Sequence, residues 1–222
     1  MKITLVCNCG LLIETDGAAL LIDAPNGKLP PFGQFPPQEL QKLLTAQPPY
    51  DRLAGVCFTH RHADHYDAAA MERLRAARPD VPVLLPETER GAYAAGAFTI
   101  EYALTPHVPV PPELMLPHWS LLVRGGGKTV YVTADSVPDA ALHRAVLAGR
   151  TVDAAFWNSQ FLAHPETREL LNTCARRNFI YHIPTDTPDP SGIRRKCERD
   201  WSRYGSELLT TRLLYCGDVI EL

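Results

Sequence analysis

From residue 53 onward, short apolar runs alternate with amphipathic segments, and that order leaves few architectures open. "LAGVCF", "VPVLLP", "FTIEYAL", "WSLLVR", "KTVYVTA", "VDAAFWN" and "NFIYHI" have strand length and strand composition. "DAAAMERLRAARPD", "PDAALHRAVLAG", "PETRELLNTCARR" and "GIRRKCERDWSRY" have helical spacing; Asp67 is placed to cap the first, and Pro79 follows its end. "TERGAYAAGA" reads as a further short helix, and "ELLTTRLLYCGDVIEL" as a terminal pair of strands. Ahead of these, "ITLVC", "GLLIE" and "AALLIDA" suggest a β meander, with a hairpin-like turn at "TDG", and "PQELQKLLTAQ" a helix. The expectation is an α/β chain of sheets covered by helices, one domain over residues 1–222. In such folds, polar residues at the carboxyl ends of strands are where ligands bind.

One strand end stands out. "LAGVCF" runs directly into "THRHADHYD", which places His60, His62, Asp64 and His65 within six residues. Neutral imidazole and carboxylate together suit zinc, iron or manganese. A loop can aim alternate side chains at one centre, whereas a merely polar surface loop gives no reason for this density. Further donors stand alone where other strands stop: His107 after "FTIEYALTP", Asp135 after "TVYVTA" and His182 in "NFIYHI". His118, just before "WSLLV", is the rival to His107.

Other functions are disfavoured by composition. Lys and Arg total 22 against 25 Asp and Glu, a net charge of −3, and no basic stripe for a nucleic-acid backbone is visible. No apolar run nears the ~20 residues that span a bilayer, and the first residues lack the pattern of a signal peptide; a cytoplasmic location is expected. The six cysteines form no CxxC pair and read as reduced thiols. The "GGG" at 125–127 reads as a hairpin turn, since no helix comes after it. Twenty prolines, about twice average usage, concentrate in stretches such as 29–37 and 106–118 and read as stiff loops. In these, Phe32, Phe35, Leu114 and Met115 would form an apolar rim to the site, pack on one another or make a contact in a homo-oligomer.

"HRHADH" matches the HxHxDH motif of the metallo-β-lactamase superfamily, and the later His107, Asp135 and His182 follow that family's order. The opening "ITLVCNCGLLIETDGAALLIDA" resembles its first strands, and "YCGDVIEL" resembles the end of the ascorbate-6-phosphate lactonase-like branch. The resemblance implies a four-layer αββα sandwich with a site for two divalent metal ions, zinc foremost and manganese or iron as alternatives. His60, His62 and His107 would hold one, and Asp64, His65 and His182 the other. Asp135 would bridge both, and Asp23 would fix the ligand loop. A shared hydroxide, oriented by Asp64, would cleave an ester, lactone or phosphodiester in a small molecule. His164 in "NSQFLAHPE" would be the proton donor, with a start-of-helix surface histidine as the other reading; Asn158 and Trp157 would line the substrate pocket, and His143 would be a surface residue. A non-hydrolytic metal-binding, redox or sensing member of the same superfamily is the alternative.

Overall fold

The computed structural model describes residues 1–185 and 188–222. Residues 186 and 187, within the proline-rich stretch "IPTDTPDP", lie outside the described residues. The first sheet contains β1 (Lys2–Cys7), β2 (Gly10–Thr15), β3 (Ala18–Ile22), β4 (Leu53–Cys57) and β5 (Val83–Leu84). The second contains β6 (Arg90–Ala95), β7 (Phe98–Leu104), β8 (Trp119–Gly125), β9 (Lys128–Val132), β10 (Val152–Asn158), β11 (Ala175–Tyr181) and β12 (Thr211–Leu213). The chain ends in β13 (Val219–Glu221), which returns to pair antiparallel with β1 in the first sheet. The strand orders are β13-β1-β2-β3-β4-β5 and β12-β11-β10-β9-β8-β7-β6.

Side-chain alternation builds the layers, because successive residues of a strand face opposite sides of the sheet. In β2, Leu11 and Ile13 join the core between the sheets, whereas Leu12 faces outward. In β10, Ala154 and Phe156 point inward while Ala155 and Trp157 point outward. Leu12, Leu21 and Val56 pack on α1 (Pro37–Leu44) and α2 (Ala68–Ala77) through Leu43, Met71 and Leu74. On the opposite outer face, Leu122, Trp157 and Ile180 pack on α3 (Ala140–Leu147), α4 (Pro165–Cys174) and α5 (Ile193–Tyr204) through Leu147, Leu170 and Cys197. Helices, sheet, sheet, helices: the expected αββα sandwich is the fold.

Three expectations are corrected. "TERGAYAAGA" is a strand, β6, paired with β7 from Arg90↔Ala103 to Ala95↔Phe98. Its alanines favour helix in isolation, but pairing with β7 and the stacked rings of Tyr93 and Tyr102, 5.0 Å apart, override that preference. The strands near the C-terminus, β12 and β13, do not pair with each other; β12 joins β11 and β13 joins β1, so the chain crosses between sheets. His143 is fully buried rather than a surface residue. Its Nε2–H donates to the carbonyl of Val137 at 3.1 Å, and its Nδ1 accepts from the hydroxyl of Tyr131 at 2.7 Å. The "TDG" and "GGG" turns close hairpins, and Asp67 caps α2 by accepting from the amide of Ala70 at 3.0 Å, both as expected.

Candidate metal centre

The strands β1, β3, β4, β7, β9, β10 and β11 all end at one edge of the sandwich, and the loops leaving these strand ends build the site. The two sheets are stitched there by the amide of Trp119 donating to the carbonyl of Thr59 at 3.0 Å. After β4 the loop turns back at once: the amides of His65 and Tyr66 both donate to the carbonyl of His62 at 2.9 Å. That turn lets His60, His62, Asp64 and His65 face the ends of the second sheet. Several strand ends carry a left-handed backbone without glycine, with φ of 44° at Asn8, 49° at Asp23, 44° at Ala134 and 59° at His182. Such conformations are held against their cost by surrounding contacts and cluster at functional sites.

Two groups of four donors result, each with donor atoms within 4.8 Å of one another. His60, His62, His107 and Asp135 form one; Asp64, His65, His182 and Asp135 form the other. Asp135 is common to both. Its Oδ2 lies 3.4 Å from His107 Nε2 and 3.3 Å from His65 Nε2, and its Oδ1 lies 3.5 Å from His182 Nε2.

The hydrogen bonds behind the imidazoles fix where their protons sit. The Thr59 hydroxyl donates to Asp23 Oδ2 at 2.8 Å, so its oxygen accepts from His60 Nδ1 at 3.1 Å. The carbonyl of Leu114 can only accept, so His62 Nε2 donates to it at 2.7 Å. His60 Nε2 and His62 Nδ1 are therefore both unprotonated, yet they lie 3.0 Å apart. The same logic holds across the site. Asp23 Oδ2 takes the proton of His65 Nδ1 at 3.1 Å, so in the neutral, ligating form of the ring Nε2 is bare, 3.0 Å from His182 Nε2. The carbonyl of Val108 takes that of His107 Nδ1 at 2.6 Å, leaving a buried Nε2 with no hydrogen-bond partner. Lone pairs aimed at one another and at carboxylate oxygens call for a cation between them, and ligating histidines commonly hand their other ring proton to an acceptor of this kind. The donor set thus fits divalent metal ions.

Electrostatics agrees. Burial opposes the charge on Asp135, but His182 and His65 beside it hold its pKa well below the carboxylate range. Burial lowers the pKa of His60 well below its ordinary value, leaving it neutral, the ligating form. Burial also opposes charge on His65, yet the surrounding acids, Asp135, Asp64 and Asp23 among them, raise its pKa well above the ordinary value, so protons fill the gap when no cation does.

The remaining candidates divide between support and surroundings. Asp23 is fully buried and accepts from the amide of Thr59 as well, so it ties β3 to the histidine loop. His118 is not in either donor group; its Nε2 accepts from the amide of Asp135 at 3.1 Å while its Nδ1 bonds Thr105 Oγ1 at 3.0 Å. Burial lowers its pKa to about 3, so it stays a neutral acceptor. Asn158 lines the cavity over the cluster, but both its amide hydrogens are engaged at 2.9 Å by the carbonyls of Ala134 and Ser136, the neighbours of Asp135. His164 is exposed at the start of α4 and is not part of the cavity wall; Trp157 and Phe35 are buried in the two outer cores. Sequence reasoning missed Cys9 and Asn8. Asn8 donates to the carbonyl of Asp64 at 2.8 Å, and the Cys9 sulfur lies 3.2 Å from His65 Nδ1. Burial pushes the Cys9 thiol up to about 12, so it stays protonated. Their signal was the one used for His107 and Asp135, a polar residue directly after a strand.

No protein-family model and no curated protein matches the chain. Solved structures do. A protein from Veillonella parvula described as a possible metal-dependent hydrolase aligns with a TM-score of 0.73 at 15% identity, over 100% of this chain and 99% of its own. An isothiocyanate hydrolase from Delia radicum gut bacteria aligns at 0.68 and 16%, over 100% and 99%. The metallo-β-lactamase fold protein YhfI of Bacillus subtilis aligns at 0.66 and 17%, over 99% and 98%. With its four layers and these full-length alignments, the chain has the metallo-β-lactamase fold.

Proposed function

We propose that this protein is a metal-dependent hydrolase that uses two divalent ions to cleave an ester, lactone or phosphodiester bond in a small molecule. One observation carries the reading: the two four-donor groups share Asp135, and within them His60 Nε2 lies 3.0 Å from His62 Nδ1 and His65 Nε2 lies 3.0 Å from His182 Nε2. Two bound ions would supply a water of lowered pKa and a Lewis acid for the scissile oxygen.

The chain's own residues do the rest. His60, His62 and His107 would hold one ion and Asp64, His65 and His182 the second, with Asp135 between. Asp64 Oδ2 lies 3.3 Å from His182 Nε2 and belongs to the cavity wall, where it can orient an attacking water by accepting its hydrogen. In ester cleavage, that water's oxygen bonds the acyl carbon, the carbon–oxygen bond to the alcohol breaks, and the departing oxygen takes up the proton that the water gives up. His164 stands too exposed for that donor to be assigned to it. The imidazole and carboxylate set favours zinc, with manganese and iron as the other fits.

Elemental analysis of protein purified without added metal, paired with a hydrolysis screen, tests this. About two ions per chain in the wild type, and a steep fall in Asp135→Ala and His107→Ala, are expected. Metal-free protein that also fails to take up zinc, manganese or iron would end the proposal.

A further inference from the structure

Beside the cluster lies a cavity of about 610 Å³, within the range that holds small-molecule ligands. One wall is Asp64, Asp135 and the imidazoles. Much of the remainder is apolar: Leu29, Phe32, Val108, Val110, Leu114 and Ile193. Three of these are fastened to the metal-facing residues. The Phe32 ring packs edge-on against His182, with centroids 4.2 Å apart. The amide of Val108 donates to the carbonyl of Asp135 at 2.7 Å. The carbonyl of Leu114 takes the proton of His62. The apolar wall thus begins where the reacting atoms would lie, not at a remote vestibule. Leu29 and Leu114 remain 41% and 51% exposed, so both are open to a ligand in the cavity. The cations that line the cavity, Arg61 and Lys196, are both exposed, and Lys196 is paired with Asp200 at 2.9 Å. Neither forms the buried clamp that a phosphodiester's charge would call for.

We infer that the substrate is a neutral ester or lactone whose apolar chain or ring starts within a few atoms of the scissile carbonyl. This rests on the hydrolytic reading above and selects among its bond types. Leu29, Phe32 and Leu114 cover the apolar group, while the imidazole wall faces the carbonyl. Binding energy then grows with each buried methylene.

The test separates binding from reaction. Zinc-loaded protein is titrated calorimetrically with aceto-, butyro-, hexano- and octanohydroxamate, whose head group binds a metal without being hydrolysed. Kd is expected to fall roughly three- to four-fold per methylene until the wall is filled. Leu114→Asn and Phe32→Ser are each expected to cut the hexano-to-aceto preference about ten-fold. Leu114 is half-exposed, so its replacement leaves the core intact; Leu209→Asn, at a position 86% exposed and outside the wall, should leave the preference unchanged. In parallel, kcat/KM is measured on p-nitrophenyl acetate, butyrate and hexanoate and on bis(p-nitrophenyl) phosphate, with values rising along the ester series expected. A flat Kd series, or a preference untouched in both wall variants, overturns the apolar substrate even if hydrolysis is intact. Graded binding with no ester cleaved overturns the reaction instead.

Discussion

Asp135 is held by four hydrogen bonds of the folded chain. His118 accepts from its amide, Val108 donates to its carbonyl, and Asn158 bonds the carbonyls on either side of it. His118 and Asn158 are therefore positioning residues for the carboxylate shared by both donor groups. Replacing His118 with Phe strands the amide of Asp135 and leaves the hydroxyl of Thr105 with only Ser120 Oγ, at 3.1 Å. Metal affinity is expected to weaken by about 10- to 100-fold while saturating metal still reaches the wild-type stoichiometry. Competition with a chromophoric chelator measures this. In His107→Ala, by contrast, the stoichiometry itself should fall. Equal stoichiometry in His107→Ala and loss in His118→Phe would reverse the two roles. His143 supports a prediction of another kind. Burial lowers its pKa from the ordinary 6.5 to about 4. The unfolded chain takes up a proton first as the pH drops, so the stability from this group is complete above about 6.5 and is lost as pH falls toward 4. From pH 7 to pH 5 that amounts to about 2 kcal/mol. Urea unfolding at both pH values should show His143→Phe lacking this part of the acid sensitivity.

At the scale of elements, local preference and tertiary pairing compete most visibly in β6. Gly91 sits mid-strand, and a β-carbon there would fall 2.3 Å from the hydroxyl of Tyr102. In a helix, Gly91→Ala would stabilise by up to ~1 kcal/mol. In this strand it must displace Tyr102 from its stack on Tyr93 and its hydrogen bond with Thr88, so a loss of about 1–3 kcal/mol is expected. The sign of the change in a denaturant titration decides between the two conformations. Helix α2 shows the opposite case, in which sequence and structure agree. Asp67 caps it, and the amide of the same residue donates to the carbonyl of Pro25 at 3.0 Å, anchoring the end of the histidine loop. The "HRHADH" loop is thereby fixed at both ends, by Asp23 through Thr59 and by Asp67.

Across the whole molecule, the donors come from both sheets, so an ion bound there joins the two halves of the sandwich. Ligand binding to the folded state alone stabilises it by mass action. Adding zinc in excess to chelator-treated protein should raise Tm by several degrees, and Asp135→Ala should abolish most of that rise. A Tm indifferent to zinc in the wild type would contradict a site that spans the sheets. Among the described residues, no helix is long and apolar enough to cross a membrane.

The division between sequence and structure tracks the range of the interactions. Strand and helix order, the cap at Asp67 and the donors of the "HRHADH" loop depend on near neighbours, so they were legible in the chain itself. So was the order of His107, Asp135 and His182, because each stands at the end of a strand. The folded contacts alone decided the rest. β6 is a strand because β7 lies beside it, and β12 and β13 part because different sheets offer them edges. His143 is buried because Tyr131 and Val137 meet its two nitrogens. His107 rather than His118 faces the cluster because hydrogen bonds made in the folded chain orient each ring. A sequence records which donors a chain carries. Which nitrogen of each imidazole is left bare depends on acceptors that only folding brings alongside.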